Sequence, residues 1–113
     1  MKKDPKIFIE HILECIGYIK EYTKEKKKED FLESIWLQDA VIRRIEIIGE
    51  AIKNIPEEVK KKYKDIPWKN IVGMRDILIH EYFGIDLDLT WRVVENDIPN
   101  LEKEILRIKK ELK

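Results

Sequence analysis

Apolar residues recur along this chain at intervals of three and four, the period of helices that turn one face inward. Asp4-Pro5 opens the first such run, with Asp as cap and Pro in the first turn. Ile7, Phe8, Ile12, Cys15, Ile16 and Ile19 carry it to about Thr23. Gly17 interrupts the run and is expected to mark a close helix contact. KEKKKE, 24–29, is a charge run and reads as a solvated turn. Asp30, with Glu33 three residues on, has the capping-box spacing. From there Phe31, Ile35, Leu37, Val41, Ile42, Ile45, Ile48, Ala51 and Ile52 predict one long helix to about Asn54. Ile47 and Gly49 widen its apolar arc, so this helix wants more than one packing partner.

Ile55-Pro56 breaks that pattern, and Pro56-Glu57-Glu58 opens a short third helix through Tyr63. After the stop at Asp65-Ile66-Pro67, Trp68, Ile71, Val72 and Met74 lead a helix into the stretch GMRDILIHEYFG, 73–84. Gly84 is a natural C-cap, and Asp88 is the expected N-cap of the last helix. Leu89, Trp91, Val94, Ile98, Leu101, Ile105 and Ile108 line that helix, and their spacing continues through Pro99, which predicts a kink and not a stop. No strand-type alternation and no internal repeat is present. The pattern predicts an all-α fold, an up-and-down helical bundle of four to five helices, as a single domain over residues 1–113.

Composition narrows the setting. Apolar residues make up 43% and charged residues 41%, too apolar for a disordered chain and suited to helices with charged outer faces. Lys plus Arg equal Asp plus Glu at 23 each, so a nucleic-acid partner would need a local basic patch. Cys15 is the single cysteine, which excludes an internal disulfide and fits a reducing, cytoplasmic setting. The start MKKDPKIFIEHILE spaces charges through its apolar residues, unlike a signal peptide. No apolar run approaches the roughly 20 residues needed to span a bilayer, so no membrane role is expected.

The chemistry concentrates in 73–84. On a helical wheel advancing ~100° per residue, Gly73, Asp76 and His80 fall within a band roughly 60° wide. Asp76 and His80 are i,i+4, whereas Tyr82 lies about 20° from Arg75 on the adjacent face. Apolar residues fill most of the remainder, leaving a narrow polar strip that must face a neighbouring helix, a second copy or a ligand. Arg supplies a permanent forked donor for phosphate or a developing oxyanion, and His exchanges protons near neutral pH. Together they suit RNA cleavage: a base deprotonates a ribose 2′-hydroxyl, which attacks the adjacent phosphate while Arg75 stabilises the charge. Asp76 would orient His80 or hold Arg75. No cofactor is called for, and two His, one Cys and no paired-carboxylate motif offer no metal ligand set. The same residues also fit a buried Arg75–Asp76–His80 ion-pair network.

Other residues carry less. His11 reads as a surface or partly buried helix histidine. Trp36, Trp68 and Trp91 read as core or interface residues, and Arg43 and Arg44 as a solvated face or the edge of an RNA groove.

The segments QDAVIRRIEIIGEAIKNIPEEV, IPWKNIVGMRDILIHEYFGID and TWRVVENDIPNLEKEI together resemble the HEPN family, specifically its HepT-like branch. RDILIHEY matches that branch's R-x4-H-x-Y pattern as Arg75, His80 and Tyr82, with the polar residue after the Arg present as Asp76. The resemblance implies an all-α homodimer whose two motifs meet in a cleft, with Arg75 and His80 catalytic. It implies a metal-independent endoribonuclease acting on RNA as the toxin of a toxin–antitoxin pair. The antitoxin implied is an MNT-type nucleotidyltransferase that attaches AMP to Tyr82, placing bulk and negative phosphate beside Arg75 and His80. The alternative is a non-catalytic subunit that presents a nucleotide or substrate to such a nucleotidyltransferase.

Overall fold

The computed structural model describes residues 4–69, 71–73 and 86–112. All regular structure among them is helical. Helix α1 spans Pro5–Thr23, and the Asp4 side chain accepts from the Lys6 amide at 3.0 Å as the sequence predicts. Its buried line is Ile9, Ile12, Cys15, Ile16 and Ile19. Ile7 instead stands in solvent at 56% exposure, because Ile9 and not Ile7 completes the inward spacing of three and four. Gly17 makes no close contact: it is exposed, and a Cβ built there meets nothing within 4 Å.

The expected long second helix is two helices, α2 (Lys28–Glu33) and α3 (Ile35–Lys53). Ser34 divides them with extended backbone angles, and its hydroxyl caps α3 by accepting from the Leu37 amide at 3.1 Å. The Gln38 amide secures the joint by donating to the Phe31 and Leu32 carbonyls at 2.9 and 3.1 Å. Asp30 does not begin α2. It sits in its first turn and accepts the Lys27 amide at 2.8 Å, the N3 half of a capping box. The break resets the helical phase, so Ile35 and Trp36 emerge at 73% and 68% exposure while Leu37, Val41, Ile45, Ile48 and Ile52 stay inside.

Helix α4 (Glu57–Lys62) follows Pro56. Beyond the 74–85 stretch, α5 (Leu87–Arg92) leads into a π-helical turn, Val93–Asp97, and then α6 (Ile98–Glu111). Arg92, Val93, Asp97 and Ile98 all keep right-handed helical angles, so the helix runs on past Pro99. Pro99 lacks an N–H and its ring crowds the carbonyl four residues back. The wide turn just before it, in which the Ile98 amide donates to the Val93 carbonyl, makes that room.

Polar pairs give the register. Glu10 meets Lys109 at 2.9 Å and Lys20 meets Glu102 at 3.1 Å, so α1 and α6 run antiparallel. Tyr22 lies edge-on to Trp36, and Tyr18 lies under Arg44, so α1 and α3 are antiparallel as well. Phe31 of α2 is fully buried against Trp91 of α5, ring centroids 5.3 Å apart. One continuous apolar cluster runs through all these elements. The architecture is the all-α bundle that the periodicity predicts. Among the described residues no helix is long and apolar enough to cross a membrane.

Candidate active site

Arg75, Asp76, His80 and Tyr82 lie outside the described residues, as does Gly84 with its expected cap. Both flanks of their stretch are described, and each is fixed by specific bonds. Upstream, the Tyr63 carbonyl accepts two donors, the Ile66 amide at 3.1 Å and the indole N–H of Trp68 at 3.1 Å. Trp68 and Ile66 are buried, at 9% and 2% exposure. The Pro67 carbonyl then accepts from the Ile71 amide at 3.1 Å, which starts the helical residues 68–69 and 71–73. Proline suits that place because it needs no amide partner at the start of a helix.

A second clamp ties this loop to the end of α6. Arg107 reaches Asp65 and Glu104 at 2.8 Å each, and its guanidinium lies 5.3 Å over the Tyr63 ring. Burial pushes the Tyr63 phenol above its ordinary pKa; the Glu111 carboxylate adds to this and the Arg107 charge opposes it. Tyr63 therefore stays a neutral packing group at physiological pH.

Downstream, Asp86 and not Asp88 caps α5, its carboxylate accepting from the Leu89 amide at 3.0 Å. The hydroxyl of buried Thr90 donates back to the Asp86 carbonyl at 2.8 Å. Asp88 sits in the first turn and pairs with Lys28 at 2.7 Å, linking α5 to α2.

Between α4 and the residues leading into 74–85 lies an open cleft of about 670 Å³. Lys60, Lys61, Lys64 and Lys69 stand around it, with Glu57 the one acidic residue among its described walls. The sequence held a signal for this cleft, the density of lysines over 60–69. It passed unread because net charge balances over the whole chain.

A second feature also escaped the sequence. Tyr18 and Tyr22 stack with centroids 6.1 Å apart, and the Arg44 guanidinium lies 4.3 Å over Tyr18 and 4.0 Å from the Cys15 sulfur. The tyrosines' i,i+4 spacing was the available sign. Arg44 is thus held against α1, while Arg43 is solvated and pairs with Glu46 at 3.5 Å. Of the tryptophans, Trp68 and Trp91 are core residues and Trp36 is exposed. His11 is an exposed helix residue. Among the described residues, no three His, Cys, Asp or Glu side chains group as metal ligands.

The family model for "Ribonuclease HepT-like" matches residues 12–108. A Methanocaldococcus jannaschii protein named "Gamma-glutamylcyclotransferase and putative RNase" is 63% identical over 112 residues, 99% of this chain. The chain spans 50% of that longer relative. A Thermococcus cleftensis protein named "Probable ribonuclease HepT" is 46% identical over 110 residues, covering 97% of this chain and 100% of the relative. No solved structure matches the chain significantly. With the model covering most of its length and a full-length relative at that identity, the chain belongs to the HepT-like ribonuclease family.

Proposed function

We propose that this protein is a metal-independent endoribonuclease, the toxin of a toxin–antitoxin pair, with Arg75 and His80 as its catalytic residues. The observation that carries the reading is the R-x4-H-x-Y motif, Arg75 to Tyr82, lying inside the 12–108 match to a ribonuclease family. His80 takes the proton from a ribose 2′-hydroxyl, and the freed oxygen attacks the adjacent phosphorus. Arg75 stabilises the charge that develops on the phosphoryl oxygens. Asp76, four residues before His80 and next to Arg75, supports the pair by orienting the imidazole or holding the guanidinium. The P–O5′ bond breaks as the 2′-oxygen bonds to phosphorus, the departing 5′-oxygen takes a proton from the imidazolium or from water, and the products are a 2′,3′-cyclic phosphate and a free 5′-hydroxyl.

Tyr82 is the regulatory site, carrying AMP transferred by an MNT-type nucleotidyltransferase antitoxin. The added phosphate competes with RNA phosphate for Arg75. The working unit is a cytoplasmic homodimer; the exposure of Ile35 and Trp36 supports an outward apolar face available to a second copy.

The test is incubation of the purified, partner-free chain with structured RNA in EDTA, beside a His80→Ala variant. Cleavage by the wild type alone is expected. Intact RNA with the wild type, or equal cutting by the variant, overturns the ribonuclease reading. Co-expression with the nucleotidyltransferase, read by intact mass, is expected to add AMP-sized increments that Tyr82→Phe abolishes.

A further inference from the structure

We infer that the lysine-walled cleft between α4 and residues 68–69 and 71–73 is a binding track for the phosphate backbone of single-stranded RNA. The inference rests on the ribonuclease reading for its choice of polyanion.

Charge singles out this cleft. The whole chain balances 23 cations against 23 anions, yet the cleft's described walls carry four lysines to one glutamate. Glu57 offsets little of that charge: it is 79% exposed and lies 3.8 Å from Lys60, near the limit of an ion pair. The nearby Asp65, which is not among the cleft's described walls, is paired with Arg107 at 2.8 Å.

The form of the cleft suits a chain of phosphates. Buried Ile66 and Trp68 line it beside the lysines, so it offers apolar surface as well as charge. The Lys60 side chain is only 17% exposed. Lysines act as compact point charges without a fixed fork, so they bind backbone phosphate without selecting bases. The volume, about 670 Å³, falls in the range of sites that enclose a nucleotide-sized ligand.

Position connects the cleft to the chemistry. Gly73 is part of its wall, and Arg75 is two residues further along the chain. Covalent geometry alone keeps Cα atoms two residues apart within about 7 Å. The cleft wall and the start of the R-x4-H motif are therefore close neighbours along the backbone.

The experiment measures binding of a 2′-O-methyl RNA oligonucleotide by fluorescence anisotropy, with full-length protein at several salt concentrations. The methyl group blocks the attacking hydroxyl, so binding is read without cleavage. The wild type is compared with Lys61→Gln/Lys64→Gln/Lys69→Gln. A control, Lys26→Gln/Lys109→Gln/Lys110→Gln, removes equal charge elsewhere. Three phosphate contacts at about 0.7 each predict that the wild type loses roughly 20-fold more affinity than the cleft variant when salt rises fourfold. The control should keep the wild-type slope, and circular dichroism should show all three folded. Equal slopes for wild type and cleft variant overturn the proposal, as does an equal loss in the control. Lysine-dependent capture of a polyglutamate peptide without RNA binding also overturns it. If the wild type binds RNA through these lysines but never cuts RNA, the cleft stands and the ribonuclease reading falls. If RNA is cut while the slopes are equal, the reverse holds.

Discussion

The indole N–H of Trp68 donates to the carbonyl of Tyr63 at 3.1 Å, in the interior, a few residues upstream of 74–85. Replacing Trp68 by Phe removes the donor and part of the ring. The Tyr63 carbonyl keeps its bond from the Ile66 amide, so the hydrogen-bond loss alone is small, about 0.5–1.5 kcal/mol. A fall in Tm of several degrees is expected, read by thermal melting. Because Trp68 also lines the lysine cleft, RNA binding should weaken in the same variant. An unchanged Tm would show that the bond does not set this loop.

Gly17 sits in mid-helix, exposed and with open space where a Cβ would stand. Gly17→Ala is therefore expected to stabilise the protein by about 0.5–1 kcal/mol, through helix propensity and a less flexible unfolded chain. A urea midpoint that rises with unchanged slope would bear this out. A falling midpoint would mean that the small residue serves a contact beyond this chain.

Ser34 holds the joint between α2 and α3 with a single hydroxyl. Ser34→Ala should cost about 1 kcal/mol as a lost N-cap, whereas Ser34→Asp should retain most of the stability. Equal midpoints for Ser and Ala would place the cause of the break elsewhere, in the packing of Phe31 on Trp91.

Cys15 has its thiol raised above the ordinary cysteine pKa, chiefly by burial, with Arg44 pulling the other way. A raised folded-state value favours the protonated form in the fold. Its contribution is fully present below the unfolded-state pKa and is lost as pH rises through the folded value. Comparing urea midpoints of wild type and Cys15→Ala should show the wild-type advantage shrinking above about pH 8.5, near the unfolded cysteine value. Tyr63 titrates in both proteins and cancels. A gap constant with pH would contradict the assignment.

Arg75→Ala should reduce RNA cleavage by about 10²–10³-fold, the usual cost of losing one oxyanion donor. Arg75→Lys should fall between, because it keeps the charge and loses the fork. Single-turnover rates on a defined oligonucleotide measure this, and a wild-type rate in Arg75→Ala would remove Arg75 from the mechanism.

The sequence by itself determined the class of fold and the inward faces of the long helices. Ile12, Cys15, Ile16, Ile19, Val41, Ile45, Ile48, Ile105 and Ile108 are buried as their spacing demands, since burial of an apolar stripe depends on period alone. It also supplied the R-x4-H-x-Y motif, because a motif is a statement about residue types and spacing. The sequence also marked the Asp4-Pro5 start, the ends near Thr23 and Asn54 and the break at Pro56, but the tertiary structure alone decided the break at Ser34 and the start of α5. Ser34 fits a helix interior or a cap equally well, and only the Gln38 bonds and the Phe31–Trp91 contact select the break. Likewise Asp86 and Asp88 are both good caps, and the choice fell to Asp86 once Lys28 engaged Asp88. The lysine cleft emerged only in three dimensions. Charges that cancel over the whole chain are unequal locally, because Asp65 pairs with Arg107 while the cleft's described walls hold four lysines and one glutamate.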